Sequence, residues 1–167
     1  MDMTHVPEYY RGYFSLIGDE NPRHLMKTGL AANEALYLNL PREKWDYAYA
    51  EGKWTVKEVL GHIIDSERVF QYRALRFSRN DKTPLPGFDQ DLYVAAGHAH
   101  NRSVESLINE YVAVRRSSIT LFEHMTPEEL ERTGTANDHE FSVEWMARII
   151  VGHEMHHMRI FKERYGI

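Results

Sequence analysis

Apolar residues recur along this chain at spacings of three and four, the period that lines one face of a helix. From about Pro22 to Leu40 the repeat runs through Leu25, Met26, Leu30, Leu36, Tyr37 and Leu40, and Pro41 ends it because the residue before a proline avoids helical backbone. A second stretch opens at Thr55, followed three residues later by Glu58 as in a capping box, and continues to about Ser78. A third covers roughly Ser103 to Met125, with Val104, Leu107, Tyr111, Val114, Leu121 and Phe122 on one side. The fourth runs from Ser142, an N-cap residue, to Tyr165, and Gly166 suits the position just past its end. Shorter helices are expected from Tyr9 to Ile17 and at Thr126-Pro127-Glu128-Glu129. No alternating segment is longer than Tyr47-Ala48-Tyr49-Ala50, so the expected class is all-α with no accompanying sheet. The connection from Asn80 to His100 carries Pro84, Pro86 and Gly87 and is long for a bundle, which marks it as a working loop or a cover over one end.

Composition narrows the function classes. The chain has 167 residues, enough for a single domain over 1–167 that buries roughly 70% of its unfolded surface. It has no cysteine, so thiolate metal sites, disulfides and a cysteine nucleophile are excluded and any metal site must use histidine and carboxylate ligands. The formal net charge is −5 and lysine and arginine form no long block, which argues against a nucleic-acid partner. No apolar run approaches the roughly 18 residues of a membrane span, and Met1-Asp2-Met3-Thr4-His5-Val6-Pro7 lacks the pattern of a secretory leader. A cytoplasmic protein with no membrane partner is the expectation.

Two imidazoles interrupt the fourth apolar stripe, which runs through Met146, Ile150, His153, His157, Ile160, Phe161 and Arg164. Residues four apart are offset by about 40° and rise about 6 Å, so His153 and His157 can converge on one ion. Burying them without partners would cost on the order of 1–3 kcal/mol each. A third ligand must come from another helix, and His62 lies on the flank of the second stripe. Three imidazoles and an open position would make a catalytic-type site for a divalent metal ion, zinc or nickel. Because imidazole must be neutral to ligate, metal affinity is expected to fall below about pH 6.5.

The residues leave other readings open. His153 and His157 could be core or interface histidines with local partners. His153-Glu154-Met155-His156-His157 also fits H-E-x-x-H, the zincin signature, but the chain offers no downstream ligand. Glu154 with His157 fits E-x-x-H of a di-iron bundle, but the second such pair is absent. Glu67, inside the second apolar stripe, reads either as a structural ion pair with a bundle arginine or as support behind a metal-bound histidine. His156, about 80° from the stripe centre, reads as exposed or as such a support. His98, His100, His124 and His139 are expected to be solvated. Arg68, Arg73, Arg76, Arg115 and Arg148 are candidate anchors for an anionic substrate, though arginines on amphipathic helices are usually solvated. No catalytic residue is assigned.

The segment from Gly52 to Arg68, containing Trp54-Thr55-Val56-Lys57-Glu58-Val59-Leu60-Gly61-His62, resembles the DinB/YfiT-like family of metal-binding four-helix bundles. Tyr72-Arg73-Ala74-Leu75-Arg76-Phe77, Pro84-Leu85-Pro86-Gly87-Phe88 and Gly152-His153-Glu154-Met155-His156-His157 extend the resemblance over nearly the whole chain. It implies an up-down-down-up four-helix bundle, with the metal held by His62, His153 and His157, and frequent homodimers. Characterised relatives include thiol S-transferases that use bacillithiol, mycothiol or glutathione, and related isomerases; others are described as metal-dependent hydrolases. The expected function is therefore metal-dependent transfer of a small-molecule thiol to a small electrophile. The alternatives are a metal-dependent hydrolase and a non-catalytic, metal-binding stress-response protein.

Overall fold

The computed structural model describes residues 6–167. Met1 to His5, on which the expectation of no leader partly rests, lie outside the described residues. In chain order the elements are α1 (Glu8–Ile17), α2 (Pro22–Asn39), a 3-10 turn (Arg42–Lys44), α3 (Val56–Ser78) and α4 (Gln90–Gly97). A second 3-10 turn (Ala99–Asn101), α5 (Val104–Glu123), α6 (Pro127–Glu131), β1 (Thr133–Ala136), β2 (His139–Ser142), α7 (Val143–Ile160) and a π turn (Phe161–Tyr165) follow. The helix starts read from the sequence are made by side chains that satisfy otherwise orphaned N–H groups. Asn21 accepts from Arg23, Ser103 from Ser106 and Ser142 from Trp145. Thr55 and Thr126 form reciprocal capping boxes with Glu58 and Glu129.

The four long helices α2, α3, α5 and α7 form the bundle, with α3 packed on both α5 and α7, and α2 on the same two. Its apolar core falls into two clusters. One contains Met26, Phe70, Phe77, Phe122, Met146 and Ile150; the other contains Tyr37, Trp45, Leu60, Leu107, Tyr111 and Phe161. Along α2 and α7 the chain passes from the first cluster to the second, and along α3 and α5 from the second to the first. That order makes the bundle up-down-down-up. Two consecutive helices running the same way need a long return, and the connection 79–103 between α3 and α5 supplies it.

The structure corrects the sequence reading in three places. A small antiparallel hairpin, β1 with β2, stands where no sheet was expected. Its two-residue turn, Asn137-Asp138, has positive φ at both positions, as a type I′ turn requires. Leu85 adds to it: its N–H donates to the Thr135 carbonyl at 2.9 Å and its carbonyl accepts from Asn137 N–H at 3.0 Å, which ties the long connection to the hairpin. That connection also holds a helix, α4, capped by Asp89 but with no buried side chain. Finally, Arg164 is exposed and Tyr165 takes the core position at 3% exposure. The π turn adds a residue to the last turn and moves the buried face on by one. Among the described residues no helix is long and apolar enough to cross a membrane.

Outside the bundle, α1 lies against α7 at Gly152, where an added Cβ would sit 2.6 Å from both the Cβ and the carbonyl oxygen of Tyr13. Backbone meets backbone there, so only glycine fits. Gly152→Ala should therefore destabilise the protein by about 1–3 kcal/mol through overpacking, read as a lowered urea midpoint at unchanged slope. A midpoint equal to that of the parent would show that α1 is not held this closely.

Candidate metal centre

Between the two apolar clusters α3, α5 and α7 contribute to a polar layer. From α3 come His62, Ser66 and Glu67, from α5 Arg115, and from α7 His153, Glu154 and His157, all buried. The same periodicity that makes the stripes puts these groups inside, because each occupies a core-facing position of its helix.

The three imidazoles converge. His153 Nε2 lies 2.9 Å from His62 Nε2 and 3.1 Å from His157 Nε2. Two nitrogens bound about 2.0–2.1 Å from one tetrahedral ion would stand about 3.3 Å apart, so the spacing fits a shared cation. Without one, the central nitrogen of His153 carries either a lone pair or a proton and cannot be matched to both neighbours in every tautomer. His62 Nδ1 has the Ser66 hydroxyl at 3.4 Å, which orients its ring. His157 Nδ1 is buried with no protein partner. Burial holds all three rings neutral far below the ordinary histidine range: His62 at about 4, His157 at about 3, and His153 well below 6.5, where the neighbouring His157 and His62 add to the effect. Lone pairs are thus available at neutral pH, and the three side chains form a group that could hold one metal ion. The expected loss of affinity just below pH 6.5 is corrected by this burial, which moves proton competition to lower pH.

Beside the imidazoles lies an ion cluster. Arg115, with 0% exposure, donates from Nε and Nη2 to both oxygens of Glu67 at 2.8 and 2.9 Å, and from Nη1 to Glu154 at 2.7 Å. The Tyr111 hydroxyl donates to the other Glu154 oxygen at 2.6 Å. Burial would pull the Arg115 proton off, but Glu154 and Glu67 outweigh it and push its pKa well above the usual value. Gly29 on α2 lets this helix close over the cluster, since a Cβ there would lie 3.3 Å from Glu154.

This arrangement decides several candidate roles. Glu67 is bonded to Arg115 and not to any of the three rings, so its geometry is that of the structural ion pair. Glu154 is turned to Tyr111 and Arg115, which removes it from the general-base position of a zincin. His156 is half-buried, tilted against Tyr13 at 5.5 Å and edge-on to His157 at 5.3 Å. His98, His100, His124 and His139 are exposed. Of the candidate anchors for an anionic substrate, Arg115, Arg73 and Arg148 are not solvated as arginines on amphipathic helices usually are, but 0, 3 and 8% exposed. A signal existed for Arg115: it sits four residues after Tyr111 and seven before Phe122, inside the α5 stripe.

One side of the triad opens on a cavity of about 230 Å³. His62 and His153 form its floor, with Ser66 and Phe70 from α3. Tyr9, Tyr10 and Tyr13 of α1 and Phe88 of the long connection form its walls, and Gln90, Asn137 and His139 lie at its edge. Desolvation raises the pKa of Tyr10 and Tyr13, so both hydroxyls keep their protons.

Comparison with known proteins agrees with this geometry. Residues 26–161 match the model of the DinB superfamily. Two proteins of Oceanobacillus iheyensis, each provisionally named a metal-dependent hydrolase, are similar to the chain. The first is 27% identical over 126 residues, 74% of this chain and 72% of the relative; the second is 26% identical over 97 residues, 58% and 55% of the two chains. Among solved structures, YfiT from Bacillus subtilis superposes with a TM-score of 0.74 at 17% identity, over 85% of this chain and 82% of YfiT. It is described as a probable metal-dependent hydrolase with an unusual four-helix bundle topology.

Two outcomes are expected from this layer. Below about pH 6.5 the unfolded chain takes up protons that the buried His62 and His157 refuse until about pH 4 and 3, so the metal-free protein loses stability as pH falls through that window. Urea midpoints measured from pH 7 to 4 should drop and His157→Gln should flatten the slope; a level profile would contradict the burial. Arg115→Leu leaves two carboxylates buried without their cation and should cost about 3–5 kcal/mol, whereas a loss below about 1 kcal/mol, the scale of an exposed pair, would show that the cluster is solvated.

Proposed function

Because the chain belongs to the DinB superfamily, we propose that it is a metal-dependent enzyme whose His62, His153 and His157 hold a divalent ion, zinc or nickel, and that it transfers a small-molecule thiol to a small electrophile. The observation that carries this reading is the convergence of three buried, neutral imidazoles beside an aromatic-walled cavity. Bound there, a divalent ion would lower the pKa of a thiol taken up at the open position and make it a nucleophile at neutral pH. The residues of the chain do the rest. Ser66 fixes the ring of His62, Tyr13 packs edge-on to His153 at 5.6 Å, and the walls of α1 and Phe88 exclude water from the reacting groups.

Thiol transfer is preferred to hydrolysis because of where the carboxylates go. Activation of water is helped by a general base, and the nearest buried carboxylates, Glu67 and Glu154, are both committed to Arg115. A thiol is acidic enough to need only the ion. Hydrolysis is the second reading, and the names of the two Oceanobacillus relatives support it.

The test is to load the protein with zinc or nickel and measure conjugation of bacillithiol or glutathione to monochlorobimane. His157→Ala should abolish metal binding and conjugation together, while His156→Ala should leave metal binding intact. Ester or amide cleavage without thiol dependence would replace the transferase by the hydrolase, and equal metal loss from both variants would overturn the ligand assignment.

A further inference from the structure

Five aromatic rings, Tyr9, Tyr10, Tyr13, Phe70 and Phe88, enclose the cavity, and they contact one another edge to face. Tyr10 meets Phe70 at 6.3 Å, Phe70 meets Phe88 at 6.5 Å, and Phe70 and Tyr13 both reach His153, at 6.4 and 5.6 Å. The wall therefore runs unbroken to the imidazoles. No lysine, arginine, aspartate or glutamate lines the cavity among the described residues. A cation brought in would be desolvated without a counter-ion.

Aromatic enclosures also attract cations, so the charge behind the rings matters. Arg73 is buried behind this wall, stacked over Phe70 at 5.7 Å and Phe88 at 5.9 Å, and it donates to the Pro86 carbonyl at 2.8 Å. Its guanidinium already occupies the electron-rich faces it covers, and it is not among the lining residues. A second cation in front of the same rings would be repelled by it, and also by an ion at the triad.

We propose that this cavity takes an aromatic ring that carries no positive charge, so that the electrophile accepted by the protein carries a flat aromatic group next to its reacting centre. An apolar cavity of about 150 Å³ suffices for benzene, so about 230 Å³ holds one ring with a short substituent. The amides of Gln90 and Asn137 supply donors and acceptors at the edge for such a substituent. This inference rests on the metal-dependent reading for the words "reacting centre", but the ring site itself does not.

Two measurements separate them. In zinc-loaded protein, acetohydroxamate and benzohydroxamate share the metal-binding group and differ by the ring. Benzohydroxamate should bind at least about tenfold tighter, 4-(aminomethyl)benzohydroxamate should lose that gain, and Phe88→Ala should bring the first two to within about twofold. In metal-free protein, saturation-transfer NMR should show benzamide bound and acetamide not, with the benzamide signal reduced by Phe88→Ala. Equal hydroxamate affinities, or tighter binding of the aminomethyl ring, would overturn the proposal. If neither zinc nor nickel binds, the metal-dependent reading falls and the benzamide experiment alone decides: binding upholds the ring site, and its absence overturns it.

Discussion

Arg115 has to be neutralised inside the bundle, and most of the architecture follows from how this is done. Removing a guanidinium and two carboxylates from water costs several kcal/mol per ion, which only close, well-aligned hydrogen bonds can offset. Glu67 on α3 and Glu154 on α7 provide them on either side of α5, and Gly29 lets α2 approach. The three helices α3, α5 and α7 are therefore held at one level by a single cluster, with α2 closed over it. Sliding any of those three by one turn, about 5.4 Å, would strand a charge, so the layer specifies register in a way that interchangeable leucines could not.

The same layer fixes the imidazoles. His62 is five residues before Glu67 and His153 is adjacent to Glu154, so once the ion cluster aligns α3 with α7 the rings have no freedom to miss one another. One guanidinium against two carboxylates leaves a formal excess of one negative charge next to three neutral nitrogens. Both features favour a cation in the layer. The arrangement also explains the division of labour between neighbouring residues of α7: Glu154 secures the scaffold while His153 and His157 turn to His62. H-E-x-x-H spacing alone could not distinguish this from a protease motif, because spacing gives the helix face of a carboxylate but not its partner.

Much of this could be read from the sequence wherever a local rule acts. The capping residues Thr55, Ser103 and Ser142 predict the starts of α3, α5 and α7, Thr126 does the same for the short α6, and His62, His153 and His157 stand out as polar groups in apolar stripes. Arg115 was less visible because an arginine on an amphipathic helix can snorkel to water, and only its carboxylate partners from other helices show that it does not. The hairpin carried its signal in two turn residues, Asn137 and Asp138, flanked by segments too short to show a period. Tyr165 in place of Arg164 needed knowledge of a π turn. The cavity was hidden because its walls come from α1, α3 and the long connection, which meet only in three dimensions.

Rigid and loose parts are segregated around the site in a way that suits chemistry. The imidazoles stand on long helices locked by the buried ion cluster, the arrangement that keeps a constellation accurately placed. The cover is of the opposite kind: α4 buries no side chain, and the connection that carries it is fastened chiefly by the Leu85 bonds to the hairpin and by the Arg73 bond to Pro86. Elements with few buried contacts open at small free-energy cost. Phe88 lies between the Pro86 attachment and α4, and Gln90 is the first residue of α4, so the part of the cavity wall that can yield stands on a different element from the rings it covers. Access can then be regulated without disturbing the nitrogens, because motion of the cover does not have to pass through the layer that holds them.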